Sequence, residues 1–470
     1  MRRTIVALAV AGAFATPVAA QQIPTPAMLP DGVLLYGRLN LGFDEYQAKG
    51  AAAGSAFDFQ SRNRVYDTAS RVGLRGSENL GGGWQAVFQI ESGANVDSGN
   101  SLGQNGINNP NTGFWASRDS WVGLQNEKLG RLTFGRQSAY WYNGTIDQIG
   151  ANYINAASPL DTYSQSGIVL GPVARESNTV QYSALIGGFS ATASYGYSAT
   201  AVGGASPEET AQGGVSPKDY FWALTLRYNH PVFDLQADYG VRNNVINDPG
   251  RDFSGLKLGA AWKYMPGSQI SLVYQALQNK NTFGLGSANG VTPANLLANA
   301  GLPVGSAVNT AIASGCGPVT STPGVPAPIL AAVQGAFFTT GGGGTIDRCA
   351  TLKQNMWVLS WEQTFGNFQA LAQYGRAGNV RGGNLPDSGV QSYLIGGRYL
   401  FSKRTWVYVS YNQIRNGSNN YVDYWAGWET SAAQLCTNPS VASTCAAPGL
   451  PSASSGADPR IIAVGILHNF

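Results

Sequence analysis

Stretches of about ten residues in which apolar and polar side chains alternate recur along this chain, and they limit its fold more than any other property. Phe233, Leu235, Ala237, Tyr239 and Val241 alternate with Asp234, Gln236, Asp238, Gly240 and Arg242. Trp222, Leu224, Leu226 and Tyr228 share one phase, with Thr225 and Arg227 opposite. Leu256, Leu258, Ala260, Trp262 and Tyr264 share another, as do Trp357, Leu359 and Trp361. A period of two puts each class on its own face of a β-strand. Ten residues is also about the length of a strand that crosses a bilayer at a tilt. No apolar run reaches the roughly 20 residues a spanning helix needs. Charged residues make up only 12% of the chain, while 61 Gly, 22 Tyr and 18 Phe fill the deficit. That balance suits many short strands with one apolar face and one weakly polar face. Near-neutral charge gives no electrostatic case for a nucleic-acid partner.

The last eleven residues carry the same pattern to the end. Ile462, Val464, Ile466, His468 and Phe470 lie in one phase. An apolar strand ending on an aromatic residue suits a sheet that closes on itself in lipid, because closure leaves no backbone edge unpaired in hydrocarbon. Seven tight turns join strands in pairs: Ser77 to Gly83, Asn126 to Gly130, Leu185 to Gly188, His230-Pro231, Pro266-Gly267, Gly366-Asn367 and Ser402 to Arg404. With closure between the ends they predict an all-β, 16-stranded antiparallel transmembrane β-barrel. Long segments rich in Gly, Ser, Asn and Pro lie between the hairpins, the longest over about 280–350 and 416–459. Short turns on one side and long loops on the other match the asymmetry of outer-membrane barrels. Phe189, Tyr228, Phe233, Tyr264, Phe365, Phe368, Tyr399, Phe401, Trp406 and Phe470 lie beside the short turns and predict an aromatic girdle at the periplasmic interface.

At the other end, Arg2 and Arg3 precede an apolar stretch from Thr4 to Ala15, and Val18-Ala19-Ala20 offers a small-residue cleavage site. Residues 1–20 read as a secretory signal peptide, 21–31 as a leader and 32–470 as the barrel. Export with an even cysteine count suggests two disulfides. Cys316 with Cys349 and Cys436 with Cys445 is the preferred pairing on sequence separation, among three connectivities, with free thiols as the alternative. Neither pair has zinc-ligand spacing or a nearby His, so no metal or other cofactor is expected.

Several stretches resemble general porins of β-proteobacteria. Ser70-Arg-Val-Gly-Leu-Arg-Gly-Ser-Glu-Asn-Leu-Gly-Gly-Gly-Trp-Gln-Ala-Val-Phe-Gln-Ile-Glu-Ser92 resembles their second hairpin, and Leu35-Tyr-Gly-Arg-Leu39 their first strand. Gly130-Arg-Leu-Thr-Phe-Gly-Arg-Gln137 resembles the strand leading into their constriction loop, and Val464 to Phe470 their last strand. The resemblance implies a homotrimeric diffusion channel for small hydrophilic solutes and ions. It would sit in a lipid and lipopolysaccharide bilayer, with Phe470 as the signal read by the barrel-assembly machinery. The Pro-bearing leader, the Ala-rich stretch from Val291 to Phe338 and the cysteine pairs depart from the usual pattern.

In this family the third extracellular loop folds into the lumen opposite basic residues on the wall. Here it should run from about Gln137 to Ala174, and it contains Asp147 and Asp161 but no Lys or Arg. Arg71 and Arg75 oppose Val72 and Leu74 in phase, which aims both into the lumen; Arg38 shares the polar phase of Tyr36 and Asn40. Arg118 and Arg175 match the family's basic cluster. The phase of Arg118 is open, and Arg136 shares phase with Leu132 and Phe134, which fits a subunit contact as well. Fixed cations opposite an acidic loop set up a transverse field at the narrowest point. Lys257, Lys263, Arg227, Arg242 and Arg398 are offset by Asp234, Asp238, Glu91 and Glu362, so the expected anion preference is mild. A solute-specific porin or a loop-mediated adhesion barrel is the alternative. An enzyme is disfavoured, because both mature-chain histidines, His230 and His468, fall at the periplasmic rim and no phosphate-binding loop occurs.

Overall fold

An alternating strand in lipid has one way to satisfy every backbone N–H and C=O, which is to pair on both edges. The computed structural model shows that outcome. It describes residues 31–50, 59–94, 96–97, 115–140, 146, 159–173, 175–197, 220–243, 252–280, 351–382, 386–418, 420, 422–423 and 456–470. The expected signal peptide, all four cysteines and Asp147 lie outside the described residues, as do most of the 280–350 and 416–459 loops.

Seventeen antiparallel strand segments form one closed sheet. They are β1 (Gly32–Lys49), β2 (Phe59–Asp67), β3 (Arg71–Gly81), β4 (Trp84–Gly93), β5 (Ser120–Asn126), β6 (Gly130–Ser138), β7 (Arg175–Ile186), β8 (Phe189–Tyr197), β9 (Tyr220–Asn229), β10 (Phe233–Asn243), β11 (Phe253–Met265), β12 (Ser268–Asn279), β13 (Leu352–Phe365), β14 (Phe368–Ala377), β15 (Val390–Leu400), β16 (Thr405–Asn416) and β17 (Asp458–Asn469). The barrel nevertheless has sixteen strands, because β2 and β3 are two halves of one. The upper half of β1 pairs with β2 (Leu41 with Asp67) and its lower half with β3 (Arg38 with Arg71). A side-chain-bonded turn separates the halves: Asp67 Oδ1 accepts from the Ser70 backbone N–H at 3.0 Å, and Ala69 takes a left-handed φ of 59°. Ser70 Oγ then accepts from the Asn40 N–H at 2.9 Å, which ties the break to β1.

The ring closes between the first and last strands, with Arg38 opposite Asn469 and Phe43 opposite Val464. The Phe470 N–H donates to the Gly37 carbonyl at 3.1 Å, and the Phe470 carbonyl accepts from the Gly37 N–H at 3.0 Å. The outward phase is apolar: Leu35, Val122, Phe134, Leu235, Leu272, Leu359, Val409 and Val464 are all exposed. The inward phase buries Gln, Ser, Thr, Asn and charged side chains. Tight turns at 82–83, 187–188, 266–267 and 366–367, with slightly longer ones at 127–129, 230–232 and 401–404, define the short end. Exposed Phe189, Phe233, Phe365, Phe368, Tyr399, Phe401 and Phe470 ring that end. Trp406 does not belong with them. It is only 4% exposed, shares the inward phase of Tyr408 and Ser410, and lies under the Arg398 guanidinium.

Candidate functional site: the lumen and its infolded loop

One stretch of non-strand chain lies inside the barrel. Between β6 and β7, Ala139, Tyr140, Ile146, Leu160, Tyr163, Ile168, Val169 and Val173 are buried in one apolar cluster with Phe221, Ala223, Ala261, Val273, Leu277, Met356 and Val358. The last seven point inward from β9, β11, β12 and β13, so the loop is pinned to one half of the wall by hydrophobic burial. The short helix α1 (Pro159–Ser166) stands against β13 and β14.

Polar contacts fix the loop's position. Lys257, 2% exposed, donates to the Tyr140 carbonyl at 3.0 Å, lies 5.0 Å from the Tyr140 ring centroid and pairs with Asp238 at 3.6 Å. Gln236 Oε1 accepts from the Ile146 N–H at 2.8 Å. Gln275 Nε2 donates to Ser164 Oγ at 3.1 Å, and the Tyr163 hydroxyl donates to Ser392 Oγ. Burial pushes the Tyr163 phenol well above its ordinary range, so it stays a neutral donor. Glycines make room for the close approach: a Cβ on Gly255 would come within 2.8 Å of the Tyr140 hydroxyl, and one on Gly240 within 3.1 Å of the Tyr140 side chain.

The opposite wall, β1 and β3 to β7, is basic. Arg38, 3% exposed, faces the lumen within electrostatic reach of Arg71, Arg118 and Asp67. Glu91 on β4 accepts from Arg118 Nε at 2.5 Å and from the Tyr36 hydroxyl at 3.1 Å, and forms an ion pair with Arg71 at 3.6 Å. Arg118 lies just ahead of β5, where strand phase does not apply, and its N–H donates to the Glu91 carbonyl at 2.9 Å. Arg175, at the start of β7, reaches Asp119 at 3.3 Å, and Asp119 also accepts from the Ser138 hydroxyl at 2.8 Å. Arg75 lies over the Tyr36 ring, 5.2 Å from its centroid. Arg136 folds back, donating to the Ser117 carbonyl and to Ser177 Oγ, both at 3.1 Å. Asp161 sits in α1, on the loop side.

Sequence reasoning missed Asp119, Trp121 and Arg131. The Arg131 guanidinium lies 5.0 Å from the Trp121 ring centroid, and the exposed Val122 and Leu124 show that Trp121 faces inward. That alternation was readable; what it left open was which side faced lipid. The histidines sit at the short end, His230 ringed by Tyr228 and Phe233, and His468 hydrogen-bonded to Thr405 at 2.8 Å. Among the described residues, no group of three or more His, Cys, Asp or Glu is placed to hold a metal ion.

This architecture has solved counterparts. An anion-selective porin from Comamonas acidovorans superposes over 93% of this chain and 99% of its own, with a TM-score of 0.60 at 18% identity. OmpF of Salmonella typhi, in complex with daunomycin, covers 94% and 98% with a TM-score of 0.51 at 14% identity. At such identities the likeness is one of fold. In sequence, an outer membrane porin protein of Bordetella pertussis is 35% identical over 198 residues, 40% of this chain and 44% of the relative. Major outer membrane protein P.IB of Neisseria gonorrhoeae is 31% identical over 156 residues, 33% and 36% of the two chains. The chain thus spans less than half the length of these curated relatives in alignment. The family described as Gram-negative porin, by contrast, matches residues 7–419, most of the 470. A closed sixteen-stranded barrel with an apolar belt, a polar lumen and that match leaves one conclusion: this chain belongs to the Gram-negative porin family of the outer membrane.

Proposed function

We propose that this chain forms a water-filled channel for passive diffusion of small hydrophilic solutes and ions, with a mild preference for anions. One observation carries the reading. The lumen's filter has two unlike sides, a loop held inward by Tyr140 and Tyr163 and a facing wall of arginines. Around that wall Arg38, Arg71, Arg75, Arg118, Arg131 and Arg175 outnumber the nearby carboxylates Asp67, Glu91 and Asp119. Arginine stays charged at any physiological pH, so the field across the gap is permanent. Hydrated polar solutes tolerate it, and apolar ones are penalised for displacing oriented water. Family membership and the resemblance above support assembly as a homotrimer, which cross-linking in native outer membranes tests.

The deciding measurement is reversal potential in planar bilayers under a salt gradient. The wild-type protein should show large, unsaturable conductance with modest anion preference. Substituting Arg71, Arg118 and Arg175 together by Gln should move the reversal potential toward cations. A fixed reversal potential would remove these arginines from the filter, and absence of conductance would defeat the channel reading.

A further inference from the structure

On the short-turn side of the arginine cluster, the same wall carries a second group of residues that general diffusion does not require. Arg75 opposes Gln89 across β3 and β4, and Gln89 opposes Trp121 across β4 and β5. The three therefore lie in one lumen-facing row, with Arg75 and Trp121 about 10 Å apart at two strand spacings. Each end of the row joins a guanidinium to an aromatic ring: Arg75 over Tyr36 at 5.2 Å, and Arg131 over Trp121 at 5.0 Å. Arg131 is only 6% exposed, yet it makes no side-chain hydrogen bond or ion pair among the described residues. A buried charge whose electrostatic partner among the described residues is a ring is costly to maintain, and an incoming anion relieves that cost. Trp121 is only half-buried and faces an aqueous lumen, where its indole gains nothing from water. The described residues of the infolded loop pack on the other half of the barrel.

We propose that Arg75, Tyr36, Trp121 and Arg131 form a lumen subsite for small aromatic carboxylates. A carboxylate fits the planar fork of a guanidinium, and an attached ring can lie along the row toward the indole. A simple inorganic anion would use the charge but not the rings. This refinement rests on the channel reading and names the solute class that the channel passes most readily.

The test is block of chloride current through the intact protein in planar bilayers by benzoate, cyclohexanecarboxylate and acetate. Benzoate should reach half-block at a concentration about tenfold below acetate, the worth of one good aromatic contact, with cyclohexanecarboxylate between them. Trp121→Leu should erase benzoate's advantage over cyclohexanecarboxylate, and Arg131→Gln should weaken block by both ring carboxylates. Chloride current blocked equally by all three anions in the wild-type protein would overturn the subsite alone. Survival of benzoate's advantage over cyclohexanecarboxylate in Trp121→Leu, or block by both ring carboxylates unchanged in Arg131→Gln, would overturn it too. Absence of chloride current would overturn the channel reading and the subsite with it. The wild-type comparison decides the matter even if a variant fails to insert.

Discussion

The two halves of the lumen are built from the same strands and turned to different ends. On β9 to β15 each principal cation has its acid: Lys257 with Asp238 at 3.6 Å, Lys263 with Asp234 at 2.7 Å, and Arg398 with Glu362 at 3.0 Å. Arg227 lies in the field of Asp234 and Asp238. Inward cations outnumber acids here too, but these pairs are one-to-one, and the described part of the infolded loop packs over this half. On β1 to β7 arginines exceed carboxylates, and Glu91 is shared between Arg71 and Arg118. One-to-one pairs lie where the chain docks, and a shared acid on the facing wall. Burial favours direct pairing there, because an unpaired charge beneath a packed loop is costly.

The comparison breaks most visibly at Lys257. Lys257→Met leaves Asp238 buried without its cation and frees the Tyr140 carbonyl, so unfolding in detergent should be easier by about 3–5 kcal/mol. Replacing Asp238 as well, by Leu, should recover much of that loss; an equally damaged double variant would mean that the pair is not what seats the loop. Gly255→Ala comes next. Its Cβ would crowd the Tyr140 hydroxyl at 2.8 Å, for a cost of about 1–3 kcal/mol and an altered single-channel conductance as the loop shifts inward. The smallest effect separates the walls by charge alone. Glu91→Gln and Glu362→Gln each remove one negative charge, but only the first should raise anion preference measurably, because Glu91 sits within the arginine cluster. Equal shifts in reversal potential from the two would show that selectivity is set by total lumen charge and not by the arginine wall.

Much of the barrel is legible in the sequence. Leu224, Leu235, Leu258 and Val464 must face lipid, and that requirement orients every neighbour in the strand. Turn residues such as Pro266-Gly267 then count the hairpins. The break between β2 and β3 was harder, since Asp67 to Ser70 acts through one side-chain hydrogen bond that periodicity does not register. Trp406 was misplaced by nearness to a turn, although its phase with Tyr408 pointed inward. In the lumen, Arg71 and Arg75 could be aimed from Val72 and Leu74. Arg118 could not, because it precedes the strand that would have set its direction. The docking of Tyr140 has no periodic signature, since its room comes from Gly240 and Gly255 on strands far along the chain.

The paired backbone bonds between Gly37 and Phe470 bear on how such a molecule comes into being. They join the first strand to residue 470, so they are the most distant in sequence of the described backbone bonds and cannot form until every strand is available. Loop-closure entropy grows only logarithmically with the length enclosed, so the seam is affordable at equilibrium; the burden falls on the rate, as it does for any topology dominated by remote pairing. Until the seam forms, two apolar strands present unsatisfied edges that would pair with any neighbouring chain. The barrel is thus an object that exists whole or not at all, and its most hazardous moment is the one just before it closes.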